Sequence, residues 1–342
     1  MKAAILVESA KPLVVADIEL PERLEYGQVL VRVHASGICG SQIGEIDAVK
    51  GPDKFLPHLL GHEGGGVVED IGAGVRHVKK GDRVVLHWRK GRGIEAPTPR
   101  YRWGGRVVNA GWVTTFNERA VVSENRVTPI PGDIDFGIAA LLGCAVTTGL
   151  GVVVNDARLR IGESIAIYGA GGVGLSVVQG AALVSAWPII AIDRDEAKLA
   201  MATAFGATHV INTARGDTAE QVRAIAGAAG VDVAVDTTGS VALIEEAWGV
   251  TTARGRTVLV GVPRAGERVR INTLPLHFEK RLVGSHGGQA EPADDIPRYV
   301  NLVRQGRLRL AEMITHTFTL DRINEAVALM RAGGGGRCLI TL

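Results

Sequence analysis

Two cysteines and one histidine stand in three separated fragments of this chain: Gly37-Ile38-Cys39-Gly40-Ser41, Gly61-His62-Glu63-Gly64-Gly65-Gly66 and Leu142-Gly143-Cys144-Ala145-Val146-Thr147-Thr148-Gly149. Thiolate and imidazole are donors that zinc takes readily, and three protein ligands leave the fourth tetrahedral position open, as catalytic sites do. Cys39, His62 and Cys144 could therefore hold one catalytic zinc. Downstream, Gly169-Ala170-Gly171-Gly172-Val173-Gly174 has the glycine spacing of a turn that cradles a dinucleotide diphosphate. Zinc lowers the pKa of a bound hydroxyl, and a nicotinamide ring accepts hydride, so the two motifs together point to zinc-assisted hydride transfer.

The glycine turn has the context its mechanism requires. It follows the apolar stretch Ser164 to Tyr168 and opens a helix, with Gly172 and Val173 at the amino terminus where negative charge is favoured. Gly169 permits the tight turn, Gly171 the approach of the diphosphate, and Gly174 close helix packing. Asp193 ends the next strand about 20 residues on, where a carboxylate accepts both ribose hydroxyls and repels a 2′-phosphate. NAD is expected over NADP, with Arg194 beside it as the one feature that would suit the phosphate.

The surrounding pattern changes once along the chain. From Lys2 to about Pro131, short apolar alternations are broken by glycine, proline and aspartate, which predicts a mainly antiparallel β domain. Beyond Leu150 strand, turn and helix repeat. Strands are expected over 164–169, 189–193, 209–212, 231–236, 256–261 and 282–285, and helices over 173–185, 195–205 and 218–228. Such alternation makes a parallel sheet covered by helices. A chain of 342 residues is expected to hold two domains. The boundaries read as 1–145 for the catalytic domain, completed by 285–342, and 146–284 for the cofactor domain, with the ligand site in the cleft between them.

Composition excludes several classes. The 38 basic and 36 acidic residues leave a formal net charge of +2, which gives no global field for nucleic acid or an anionic membrane. The amino terminus runs directly into a strand pattern without a secretory signal, and the longest apolar run, Val177 to Ile192, is interrupted by Gln179, Gly180 and Pro188. The reading is a soluble, cytoplasmic protein. Three cysteines make no disulfide framework, and Cys338 reads as core of a carboxy-terminal strand.

In their order these fragments resemble the zinc-dependent alcohol dehydrogenases of the medium-chain dehydrogenase/reductase superfamily, from Lys2-Ala3-Ala4 to Arg337-Cys338-Leu339-Ile340-Thr341-Leu342. The resemblance implies an α/β protein, a Rossmann doubly wound parallel sheet plus a mainly β GroES-like catalytic domain. It implies NAD-linked interconversion of an alcohol with an aldehyde or ketone, in a homodimer or homotetramer. A sugar, cyclitol or phosphorylated polyol dehydrogenase is the alternative, and a zinc-free reductase or nicotinamide-binding module a more distant one.

The same resemblance suggests roles for single residues. Glu63 falls just behind the metal, and Ser41 at the hydroxyl that begins a proton relay. Gly44 replaces the histidine that often completes it, which leaves water, the cofactor ribose, Glu45 or Asp47 to carry the proton. Gln42 stands where most relatives have a carboxylate behind the zinc-bound histidine; an amide can accept the ring N–H but raises ligand basicity less. Lys198 is placed near the adenosine ribose, Val260 and Val262 near the nicotinamide, and Arg337 at the diphosphate, with solvated charge or ordinary core as the plainer readings. Trp88 is either a wall of the substrate pocket or a hydrophobic plug. Thr148 either lines the nicotinamide face or caps a turn.

Many relatives carry a second, structural zinc on four cysteines, in a lobe that falls between Val85 and Val107 here. That lobe has no cysteine, so the four-thiolate site is excluded. It holds Arg89, Lys90, Arg92, Arg100, Arg102 and Arg106 against a single acid, Glu95. Such a cluster suits an anionic group on the substrate, or else a solvated loop or subunit contact.

Overall fold

The computed structural model describes all 342 residues. They form two compact units, Met1–Cys144 with Glu291–Leu342, and Ala145–Ala290.

In the second unit every strand is parallel to its neighbours. Their order across the sheet is His209–Asn212, Ile189–Asp193, Ile165–Tyr168, Val231–Asp236, Thr251–Leu259 and Arg281–Gly284. Numbered along the chain this is 3-2-1-4-5-6, the doubly wound arrangement that the alternating pattern implies. The central strands are nearly continuous apolar runs, because helices cover both faces of such a sheet. The helix Val241–Val250 was not foreseen, and the following strand starts at Thr251 rather than Arg256. A register irregularity between Val231 and Val233 admits the extra residues around Gly255.

The first unit is mainly β, as expected. Its longest strand, Gln28–Gly37, pairs with Glu63–Ile71, Arg119–Ser123 and the carboxy-terminal Arg337–Thr341. Alternate valines of these strands, Val29, Val31, Val33, Val68 and Val122 among them, fill one core. A second core, with Leu6, Ile38, Phe116 and Ile340, is closed by Ile323, Ala326 and Val327 of the tail helix Ile323–Arg331.

This framework delivers three distant segments to one point. Gln28–Gly37 ends at Cys39, which caps the helix Gly40–Ile46, and the antiparallel pairing of Ser36 with Gly64 sets His62 beside that end. The helix Phe136–Leu142 lies across the same strand, where a Cβ on Gly65 would stand 2.6 Å from the Phe136 carbonyl oxygen. A side chain at Gly143 would meet the Leu86 carbonyl oxygen at 2.4 Å and Glu63 Cα at 2.8 Å. These glycines let backbone pack on backbone, and so bring Cys144 to the other two donors.

No single helix is long and apolar enough to cross a membrane. The run from Val177 to Ile192 is divided between the helix Gly172–Leu183 and the strand Ile189–Asp193.

Candidate functional site

The ligand atoms of Cys39, His62 and Cys144 lie within 4.8 Å of one another. Donors around a tetrahedral zinc stand about 3.5–3.8 Å apart, so small side-chain adjustments suffice to enclose the ion. His62 Nε2 is buried and has no hydrogen-bond partner. An unpartnered ring nitrogen beside two sulfurs fits a metal ligand, and the soft two-sulfur, one-nitrogen set suits zinc. The Cys39 thiol is held well below its ordinary range by the hydrogen bond to Cys144 first, against the opposing effect of burial, with His62 and Arg337 adding to the shift. Thiolate character is what metal ligation needs.

Behind the donors lies Glu63, fully buried and ion-paired with Arg337. Arg337, expected at a diphosphate, thus sits in the first unit, where burial lowers its pKa and Cys39 and Cys338 partly offset that. Cys338 is buried core, and burial raises its thiol pKa. The Ser41 hydroxyl is 3.4 Å from Cys39 Sγ on an exposed helix turn.

In the second unit the glycine turn joins Ile165–Tyr168 to the helix Gly172–Leu183. Gly169 has φ +94°, and a Cβ on Gly174 would fall 1.8 Å from the Gly169 carbonyl oxygen. Neither position accepts another residue without rebuilding the turn. At Gly171 a Cβ would meet nothing within 4 Å, so the turn opens onto free space, and the helix start has no side-chain cap. Its first N–H groups are available to an anion.

Asp193 closes the next strand and is tied to this turn: Oδ2 accepts the Ala170 N–H at 2.8 Å, and Oδ1 accepts those of Arg194 and Asp195. Arg194 is exposed, and Lys198 follows in the first turn of Glu196–Ala204. Val260 and the exposed Val262 follow the carboxyl end of Thr251–Leu259. These residues share the sheet edge where ligands of doubly wound folds bind.

Residues 25–132 match the alcohol dehydrogenase GroES-like domain, and residues 172–305 the family of zinc-binding dehydrogenases. An alcohol dehydrogenase class-3 of Cereibacter sphaeroides is 30% identical, with 99% of each chain covered. The chain belongs to the zinc-binding alcohol dehydrogenase family. An S-(hydroxymethyl)glutathione dehydrogenase of Paracoccus denitrificans is 31% identical, again with 99% of each chain covered. Among solved structures, benzyl alcohol dehydrogenase from Acinetobacter calcoaceticus superposes with a TM-score of 0.90 at 27% identity, covering 100% of this chain and 99% of that one.

This alcohol dehydrogenase family member pins its cysteine-free lobe with hydrogen bonds. Glu124 accepts the backbone N–H groups of Arg76, His77 and Ile94, and Ser123 Oγ accepts that of Ala96. Burial pushes the Glu124 carboxyl up, but these three donors outweigh it and leave its pKa below the ordinary value.

The basic cluster disperses in the fold. Lys90 pairs with Glu95 and Arg92 with Asp294, while Arg100, Arg102 and Arg106 are exposed on a two-stranded hairpin. Arg89 lies over the Trp88 ring at 5.9 Å. Trp88 follows His87, whose strand end pairs with Glu63. Arg126, which carries no recognisable motif in the sequence, donates to the Trp88 carbonyl and to Glu95, and stacks on Trp112 at 4.8 Å. Thr148 is buried in the helix Ala145–Gly151 of the second unit.

Proposed function

We propose that this chain is an NAD-linked enzyme that interconverts an alcohol and its aldehyde or ketone, with one zinc held by Cys39, His62 and Cys144. The observation that carries the reading is the convergence of three donors around a buried, unpartnered His62 Nε2. Zinc, when bound, supplies Lewis-acid polarisation of the substrate oxygen. Ser41 Oγ accepts the hydroxyl proton of the alcohol and passes its own to water, which its exposed turn admits. Water is the onward carrier because Glu45 is bonded to Gln42 and Asp47 to Arg331.

Asp193 supports NAD as the cofactor, since its carboxylate already organises the glycine turn and would repel a 2′-phosphate. In this reading the helix start at Gly172 and Val173 receives the diphosphate, Lys198 the adenosine ribose, and Val260, Val262 and Thr148 border the nicotinamide. Trp88, with Trp112 beyond Arg126, offers aromatic walls, and the pairing of Lys90 and Arg92 favours a neutral substrate over an anionic one. A benzylic and an aliphatic alcohol, compared with a phosphorylated polyol under NAD, test this directly. Faster turnover of the polyol would select the alternative dehydrogenase class.

A homodimer is supported by the edge strand Arg281–Gly284, preceded by Leu274, Leu276 and Phe278, which are 61%, 39% and 66% exposed. Sedimentation of a Phe278→Lys variant as a monomer checks it.

A further inference from the structure

The group that faces the back of His62 is the Gln42 carboxamide, and its two ends are assigned by different neighbours. Oε1 accepts the backbone N–H of Gly61. Nε2 donates to Glu45 Oε2 at 3.0 Å, and the same nitrogen stands 3.0 Å from His62 Nδ1. A backbone N–H can only donate and a carboxylate only accept, so both neighbours independently turn the nitrogen end toward the imidazole. Neither side yields easily. Gln42 is buried, and Gly61, at φ +90°, is wedged so that a Cβ there would lie 2.4 Å from Thr115 Oγ1.

An amide N–H aimed at Nδ1 requires a lone pair on Nδ1. The neutral ring then carries its proton on Nε2, the atom that faces the two cysteines. A metal needs the opposite arrangement: Nε2 gives its lone pair, the proton moves to Nδ1, and Nδ1–H asks for an acceptor behind it. The carboxamide oxygen can meet that demand only by turning over, which breaks the bonds to both Gly61 and Glu45.

Resting on the zinc reading above, we propose that Glu45 is a positioning residue which, through the Gln42 amide it holds, keeps His62 in the proton arrangement that opposes metal and so lowers the affinity of the chain for zinc. Glu45 is not one of the three donors and acts through the Gln42 amide it accepts from. The sign of its effect is diagnostic. Removing a negative charge near a cation site weakens binding by Coulomb attraction alone, whereas removing one of the two bonds that oppose turning the amide over tightens it.

The test is zinc affinity by competition with a chromophoric chelator, in the unmodified chain, Glu45→Ala, Gln42→Ala and the double variant. Glu45→Ala should bind zinc about tenfold more tightly, at the lower end of the usual effect of such outer partners. In the Gln42→Ala background the same change should give no tightening, because the amide through which it acts is gone. A second readout, independent of activity, is nitrogen NMR of the zinc-stripped, histidine-labelled protein. His62 should carry its proton on Nε2 in the unmodified chain and on Nδ1 in Gln42→Asp. Unchanged or weaker zinc binding in Glu45→Ala, equal tightening with Ala at 42, or a proton on Nδ1 in the unmodified chain overturns the proposal. If none of the four proteins holds zinc, the zinc reading itself falls, and the positioning role with it.

Discussion

The guanidinium of Arg337 donates to the carboxylate of Glu63 in a pair almost sealed from solvent, 3% and 0% exposed. One partner comes from the strand that follows His62 and the other from the last strand of the chain, so the pair ties the carboxy-terminal strand to the segment that carries His62. Breaking a buried pair by removing one partner typically costs about 3–5 kcal/mol, because the other charge is left without compensation. Glu63→Ala should lower unfolding stability by that order in urea, and adding Arg337→Met should recover most of the loss. A single-variant cost that the second change does not reduce would assign the effect to packing.

His87 is fully buried in neutral form. Its Nδ1 donates to the Arg89 carbonyl at 2.7 Å and its Nε2 accepts from Thr128 Oγ1 at 2.9 Å. Burial pushes its pKa from the ordinary 6.5 down to about 4. The unfolded chain therefore takes up this proton first as pH falls, and the contribution present above about 6.5 is lost progressively toward 4. The loss amounts to about 3 kcal/mol. Equilibrium unfolding at a series of pH values should show this slope, and His87→Gln should remove it while lowering stability at neutral pH.

Much of this architecture was legible in the residues, and its limits are physical. The glycine turn could be read because each glycine answers a local steric demand, such as the 1.8 Å approach of Gly174 to the Gly169 carbonyl. The convergence of Cys39, His62 and Cys144 could be read because their donor types are specific. The helix Val241–Val250 was missed because β-branched residues and Gly249 blur its period. Nor could the sequence show that Asp294, some 200 residues away, pairs with Arg92, or which end of the Gln42 amide faces His62. Those facts depend on partners that only the fold brings together.

Glu124 ties Ile94 of the cysteine-free lobe to Arg76 and His77 by accepting three backbone N–H groups. An amide at this position keeps one acceptor atom, so Glu124→Gln should leave at least one buried N–H unpaired, at about 1–3 kcal/mol. Faster hydrogen exchange at Ile94 and His77 should accompany the lower stability. Unchanged exchange at both would show that the loop is held by other contacts.

Asp193→Asn keeps an oxygen for the turn but removes the charge that repels a 2′-phosphate. The ratio of kcat/KM with NAD to that with NADP should fall about tenfold or more, the scale of one lost charged hydrogen bond. An unmodified enzyme that already favours NADP would contradict the role given to Asp193.

The central claim is that Cys39, His62 and Cys144 together hold the only zinc of this chain and that the reaction depends on it. Metal analysis of the purified protein and of Cys144→Ala, run beside NAD reduction by a primary alcohol, tests it most directly. The account predicts about one zinc per chain in the unmodified protein, and loss of both metal and activity in the variant. Two tightly held zincs per chain, or full activity in a Cys144→Ala protein without zinc, would contradict it.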